Sequence, residues 1–550
     1  STSDNRQDTS LSNTTRPSVF KIDMTGDNDT GMYFGYNGSN IFKIVNYNLS
    51  GTGSNNTMVF IEDGNVNLDS TAGAGGSHAI TVTGTAGTST GNIGIYKTAT
   101  ATTDDITTDA DINIKDSDSS IAILSKGTGG TITSKGNIAV EGTGGNVVKA
   151  AMGIVSSGGD DITSTGTLTV KGTQNSPTEG SQGLIALGGS IDQQGTATIE
   201  VDGSASVGVY TENGTITISG AGSNVKTTGG AFNIYSNGST GIVNLSNTTI
   251  DTGQSSLAFL ASNGGTINFN TPTTANIAGG SNVNNRGTAF YYEGTSTTAL
   301  AGGAAYSTIN VPTWMSSTFG NINNLTLNMG VGGGNSRLYL LSGVALNLSN
   351  LSTAVSGGGL NITGSYVPAM LYTSELTVDQ PVNLDVSTDI YNTMEAANLS
   401  IVNNDVITGT QPNQAAMAQA NLTTTKRLVT LTNNNTINLS GTGSTGMYSN
   451  FGILKNNGTI NIGDSLTGMY GEGETEIYNT GTGVINMGNN STGMFSNGAT
   501  ATALVNNGKI ATNANDSIAM TYKPNGIAAA GTVKFENQGT IELLGDRNTG

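Results

Sequence analysis

Asn456-Asn457-Gly458-Thr459-Ile460-Asn461-Ile462-Gly463, followed by Leu466-Thr467-Gly468-Met469-Tyr470, is the stretch that decides the fold. Both phrases return as Gly483-Val484-Ile485-Asn486-Met487-Gly488 and Ser491-Thr492-Gly493-Met494-Phe495. They occur earlier as Asn435-Thr436-Ile437-Asn438-Leu439 and Ser444-Thr445-Gly446-Met447-Tyr448. From Thr445 to Thr467 the step is 22 positions, and from Thr467 to Thr492 it is 25. A period of that size is the signature of a solenoid, in which one turn of chain stacks on the next.

Each phrase is short, alternating and β-prone, and is closed by Gly, Asn or Ser. The expected fold is therefore all-β: a right-handed parallel β-helix, one coil per repeat, with an irregular inserted region. Equivalent residues then lie one above another at roughly the inter-strand spacing of 4.8 Å. Met447, Met469 and Met494 are expected to stack inward. Tyr448, Tyr470 and Phe495 are expected to stack on the opposite face of the same strand, because side chains alternate. The alternative is a set of Asn-Gly hairpins. Hairpins reverse direction, whereas these phrases recur in one sense with one period.

A looser array fills residues 90–300. Ile106–Lys115, Ile132–Glu141, Ile162–Lys171 and Ile191–Glu200 align without gaps, their starts 26, 30 and 29 positions apart. The first, seventh and ninth places are apolar and are expected to face inward. The fifth place is Ala110, Gly136, Gly166 and Gly195, where a tight corner wants a small residue. The tenth alternates in sign: Lys115, Glu141, Lys171, Glu200. In a parallel stack these charges lie at neighbouring rungs and attract. A second phrase (Ile93-Gly94-Ile95-Tyr96, Ile121-Ala122-Ile123-Leu124, Phe232-Asn233-Ile234-Tyr235 and others) occupies the slot that Gly-Met-aromatic occupies later.

Residues 300–430 break the rhythm. They hold Pro312, Pro368, Pro381, Pro412 and the single Trp of the chain, Trp314. Leu325–Met329, Leu338–Leu341, Val344–Leu348 and Pro381–Val386 still read as strands. Ile390–Asn398 and Gln414–Asn421 read as short helices from their Ala, Met, Glu and Gln content. The organisation expected is a lead-in or cap over 1–19, an array over 20–299, an irregular region or inserted subdomain over 300–430, and a second array over 431–550. The repeat phrases near both ends imply a piece of a longer array.

Composition narrows the function. The 550 residues include 80 Gly, no Cys and one His, and the net charge is -18. Twenty thinly scattered basic residues argue against nucleic acid, which needs clustered Lys or Arg. No segment is long and apolar enough to span a membrane as a helix. Without Cys there is neither disulfide nor thiolate chemistry.

No motif points to catalysis, and the chain is expected not to be an enzyme and to need no cofactor or metal. His78, in Gly75-Gly76-Ser77-His78, has no Cys partner for zinc and no nucleophile elbow near it; it reads as a surface histidine. Asp104, Asp105, Asp109, Asp111, Asp116, Asp118 and the pair Asp160-Asp161 resemble oxygen ligands for calcium, but the spacing of known calcium loops is missing. They read as a solvated acidic edge. Trp314, Arg337, Tyr339, Tyr366 and Tyr372 are the candidate binding residues, since aromatics and Arg anchor interfaces and stack on sugars. The competing reading is that they fill the core of the irregular region.

The Gly-Met-aromatic and Asn-Gly-Thr-Ile phrases from about 428 to 550 resemble the large type V autotransporter adhesins of fusobacteria. The likeness is looser over 20–300 and poor over 300–430. It implies a passenger secreted through its own C-terminal outer-membrane β-barrel and displayed on the bacterial surface. It also implies attachment to host cells or other bacteria, and it brings no catalytic motif. The partner expected is a host-cell glycan or receptor, or another bacterium, with no nucleic acid; membrane contact comes only through a barrel lying outside this stretch. The chain is expected to be monomeric. At about 25 residues per coil the array would extend roughly 100 Å. A polysaccharide-active β-helix enzyme and a passive spacer are the rival readings.

Overall fold

Every strand pairing between repeats is parallel, and the chain is a right-handed β-solenoid of about 17 turns. The computed structural model describes residues 20–35, 41–44, 47–69, 78–100, 104–294, 306–357, 359–419, 429–498, 503–523 and 534–550. The lead-in expected over 1–19 and the pair Lys426-Arg427 lie outside them. Two units divide the chain: residues 1–291, 316–336 and 359–366 form the first, and residues 292–315, 337–358 and 367–550 the second.

In the first unit each coil lays one strand into each of three sheets. Sheet A has 12 strands, from Phe20–Met24 to Asn361–Gly364. Sheet B begins at Thr30–Gly35 and runs through Ile93–Lys97 and Val207–Glu212. Sheet C has 10 strands, from Ile41–Lys43 to Phe319–Gly320. The aligned segments stack as their spacing predicts. Ile106, Ile132, Ile162 and Ile191 form one file in sheet C, and Ile112, Ile138, Leu168 and Ala197 one in sheet A. All eight are essentially inaccessible to solvent. Burying such side chains supplies the main driving force, at roughly 25 cal/mol per Å² of apolar surface.

The corner between sheets C and A explains the small fifth residue. A Cβ on Gly136 would lie 2.0 Å from the Ala110 carbonyl oxygen, one on Gly166 2.0 Å from that of Gly136, and one on Gly195 1.9 Å from that of Gly166. The backbone of each coil rests directly on the corner of the coil before. The outward tenth place is the expected charge ladder, with Lys115 beside Glu141 and Lys171 beside Glu200. It continues to Lys226 and Asp251. Lys171 Nζ lies 3.5 Å from Glu141 Oε2, with both side chains partly exposed.

Three further sheets repeat the plan. Sheet D runs from Ser307–Thr308 to Lys534–Asn537, sheet E from Val382–Asn383 to Thr540–Leu543, and sheet F from Ala415–Gln419 to Ile518–Tyr522. The inward Met file is longer than the repeat phrase indicates: Met417, Met447, Met469, Met494 and Met520 are in register and buried. The residue before each Met is small (Ala416, Gly446, Gly468, Gly493 and Ala519), and a Cβ on Gly446 would sit 2.5 Å from the Gly468 carbonyl oxygen. The turn entering each of these strands carries a left-handed residue: Asn413 (φ 59°), Gly443 (φ 77°), Ser465 (φ 61°), Asn490 (φ 52°) and Asp516 (φ 59°). Asn, Asp and Ser, with short side chains that bond locally, suit such turns.

A file of buried asparagines lines sheet D. Asn403, Asn433, Asn456, Asn479 and Asn506 are wholly buried and in register. Each donates its carboxamide N–H to the next, over 2.8, 2.8, 2.9 and 2.7 Å, and Asn506 donates to Asn537 over 2.7 Å. The buried amides thus satisfy one another, which is the condition for keeping polar groups inside.

Four sequence expectations are corrected. The expected helix Gln414–Asn421 is not helical over its described residues 414–419: Ala415–Gln419 is a strand, with Ala416 and Met417 continuing the inward small-Met phrase. Ile390–Asn398 is helical only over Ile390–Thr393, and Glu395–Ala397 is a strand. Val344–Leu348 and Pro381–Val386 shorten to the strands Val344–Asn347 and Val382–Asn383. The longer helices are Val311–Thr318 and Leu348–Gly357, and the second buries Leu348, Leu351 and Ala354 along one face. No helix among the described residues is long and apolar enough to cross a membrane.

Candidate functional site

The predicted binding residues separate by burial. Trp314, on the helix Val311–Thr318, is 8% exposed, and Tyr339, on the strand Ser336–Ser342, is fully buried. Their rings meet edge to face at 6.4 Å, and Tyr292 meets Trp314 at 5.3 Å. Arg337, on the same strand as Tyr339, directs its Nη2 to Glu395 Oε2 at 2.9 Å, and both side chains are largely buried. These three are interior packing of the second unit. Tyr366 is half-buried, while Tyr372 is exposed. The structure brings together Trp314 and Tyr339 and no other pair of the five by ring contact among its described contacts.

His78 is not on the surface. It is 9% exposed, its ring packs on that of Tyr47 at 5.7 Å, and its Nδ1 lies 3.6 Å from Asp109 Oδ1. The acidic residues form a solvated edge only in part: Asp105 and Asp161 are exposed, whereas Asp116, Asp118 and Asp160 are buried. Five of the carboxylates fasten a turn of a neighbouring coil by accepting a backbone N–H: Asp104 from Gly64, Asp105 from Thr131, Asp111 from Asn137, Asp116 from Thr143, and Asp118 from Lys149, over 2.6 to 3.0 Å. The Thr143 hydroxyl and amide, with Asn146, hold the Asp116 carboxyl below the usual carboxylate range. Burial raises that of Asp104. Among the described residues no three His, Asp or Glu side chains converge as metal ligands would.

The surface that stands out is the outer face of one sheet. Outward positions of sheets A and C are mostly Thr, Asn, Asp and Lys, as in Thr107-Thr133-Thr163. The outer face of sheet B is apolar instead. One file reads Tyr33, Phe60, Tyr96, Leu124, Val155, Ile185, Tyr210, Tyr235 and Leu260, of which Val155, Ile185 and Leu260 are buried and the rest half-buried or exposed. A parallel file carries Ile93, Ile121, Met152, Val207, Phe232 and Leu257, interrupted between Met152 and Val207 by Gln182. Tyr33 and Phe60 stack at 5.6 Å, and the rings of Tyr210 and Tyr235 lie 5.0 Å apart. Stacking in register is what forms this face, since a strand alone would show a single ring.

Sheet F of the second unit repeats the arrangement. The predicted Tyr448, Tyr470 and Phe495 file is present, with ring separations of 5.6 and 5.1 Å. Glu472 accepts from both phenols, at 3.1 Å from Tyr448 and 2.6 Å from Tyr470. Burial first, and the Glu472 charge second, push the Tyr448 phenol up to about 12. These phenols stay neutral at physiological pH, so the face offers flat rings, hydroxyls and carboxylate acceptors. The repeat phrase foreshadows the ring file in sheet F. The sheet B face was legible only as the loosely defined small-apolar-apolar phrase.

Compared with known protein families, characterised proteins and solved structures, the chain shows no significant match to any.

Proposed function

We propose that this chain is an adhesive segment displayed on a bacterial surface, the passenger of a type V autotransporter held at the outer membrane by a β-barrel of the same polypeptide. The solenoid serves as a stiff support, and contact is made by aromatic-lined outer sheet faces rather than by the residues of the irregular region. The observation that carries this reading is the aromatic and aliphatic file on sheet B, open to solvent at Tyr33, Phe60, Tyr96, Leu124, Tyr210 and Tyr235 and echoed by Tyr448, Tyr470 and Phe495 on sheet F. Contiguous apolar strips on a protein surface mark interaction sites. Flat rings bordered by carboxylate acceptors are suited to the C–H faces and hydroxyls of a glycan.

A glycan array and a cell-binding assay with the purified chain test the proposal. Binding that drops at least tenfold in a Tyr210→Ser, Tyr235→Ser double variant supports it. Binding unchanged in that variant and in Tyr470→Ser would move the contact elsewhere. New reducing ends on incubation with polysaccharides would favour an enzyme instead.

A further inference from the structure

Lys97 closes the sheet B strand Ile93–Lys97 with its side chain pointing inward, in register with Ser125 and then Ser156 of the next two coils. A lysine in that slot is wholly buried. Its Nζ lies 2.8 Å from Asp160 Oδ2, and both side chains are inaccessible to solvent. The ammonium also donates to the Asp104 carbonyl oxygen at 2.8 Å. Asp160 Oδ1 accepts the backbone N–H groups of Gly129 (3.0 Å) and Gly130 (2.9 Å), while Oδ2 accepts the Ser125 hydroxyl at 2.5 Å. Glycine is required beside them, because a Cβ on Gly130 would fall 2.5 Å from Lys97 Nζ.

An ion pair removed from water is costly to maintain, since desolvation of both charges offsets most of their attraction. The same two groups with one proton moved from Nζ to Oδ2 are an amine and a carboxylic acid in contact. Holding reactants in that geometry removes most of the entropic barrier to their reaction. The two N–H groups on Oδ1 are placed as donors to the oxyanion that forms when a carboxyl carbon is attacked.

We propose that Lys97 and Asp160 condense into an isopeptide bond within the folded chain. The Nζ lone pair attacks Cγ of the neutral acid and a C–N bond forms. Oδ1 takes the negative charge under the Gly129 and Gly130 N–H groups. A proton passes from nitrogen to Oδ2, directly or through the Ser125 hydroxyl. The Cγ–Oδ2 bond then breaks, water leaves, and the carbonyl re-forms at Oδ1. No oxidant, reductant or other reactant is needed. The amide product keeps the existing partners: its N–H donates to the Asp104 carbonyl, and its oxygen accepts from the two glycines. The bond ties one coil to the second coil after it.

Mass spectrometry of the denatured wild-type chain is the test. The expected mass is one water below the sequence mass, with a branched peptide joining Lys97 to Asp160 after proteolysis. Lys97→Met should restore the full sequence mass. Mass rather than melting temperature is the readout, because removing one partner of a buried pair destabilises the fold whether or not the bond forms. A wild-type chain at full sequence mass overturns the proposal. So does a water loss that maps to a linear peptide, such as a succinimide at Asp63-Gly64.

Discussion

Asn456 donates its carboxamide N–H to Asn479 Oδ1 at 2.9 Å, and both side chains are completely buried. The bond joins two coils through their interior rather than through their backbones. Its removal is not equivalent to loss of one hydrogen bond. Asn456→Ala strips Asn433 of an acceptor and Asn479 of a donor, both out of reach of water. Buried unsatisfied polar groups cost about 1–3 kcal/mol each. Urea denaturation of the second unit should show a loss of about 2–4 kcal/mol; a loss under about 0.5 kcal/mol would mean that water replaces the missing amide.

Met469 stands between Met447 and Met494 in the inward file of sheet F. Truncating a buried Met leaves a cavity, so Met469→Ala should cost about 2–5 kcal/mol. Met469→Leu, of nearly the same volume, should cost less than about 1.5 kcal/mol. Equal effects of the two, measured by denaturant midpoint, would rule out tight packing in this file.

The corner glycines make a harsher test. Gly166→Ala places a methyl group 2.0 Å from the Gly136 carbonyl oxygen, and only backbone displacement relieves it. Overpacking of this kind costs about 1–3 kcal/mol. Hydrogen exchange should accelerate in the coils around Gly136 and Gly195 and remain unchanged in the second unit.

Glu141→Lys puts a third positive charge between Lys115 and Lys171 at adjoining positions of sheet A. Both members of the Lys171–Glu141 pair are partly exposed, so solvent screens the effect and the cost should stay under about 1 kcal/mol. The loss should shrink in high salt. A thermal melt matching wild type in low salt would show that the ladder contributes no stability.

Asp385 supplies the pH dependence. The Thr410 amide, then its hydroxyl, with Gln411 and Gln414, hold the Asp385 carboxyl down to about 2. The folded value lies below the unfolded one of about 3.9. The contribution is therefore complete above about pH 4 and is lost as pH falls through about 2. Between those limits wild type should lose more thermal stability than Asp385→Asn, which has no proton to gain there.

Periodicity made most of the fold legible. Parallel stacking demands that equivalent residues superpose, so the Ile files, the Gly corners and the Met and aromatic files could be located by spacing alone. Interior polarity could not. Asn456 sits in an Asn-Asn-Gly phrase that reads as a turn, and only the register shows that its side chain points in. Lys97 follows a Gly-Ile-Tyr phrase in a slot that Ser fills in later coils, and an alternating pattern treats such a position as a surface charge. Propensity misled at Gln414–Gln419, where Ala and Met favour a helix; stacking of Ala416 and Met417 on the small-Met phrase of the next coil overrides that preference. Trp314, Arg337 and Tyr339 looked like surface anchors because their strand and helix break the repeat, and it is the packing between those two elements that encloses them.

The buried carboxamides of sheet D all point the same way along the chain, each N–H reaching toward the higher-numbered neighbour. The file therefore has an arrow. A coil added on its carboxy-terminal side must bring a matching oxygen, and one added on its amino-terminal side a matching N–H. The two ends of such an array are chemically distinct, a donor at one and an acceptor at the other.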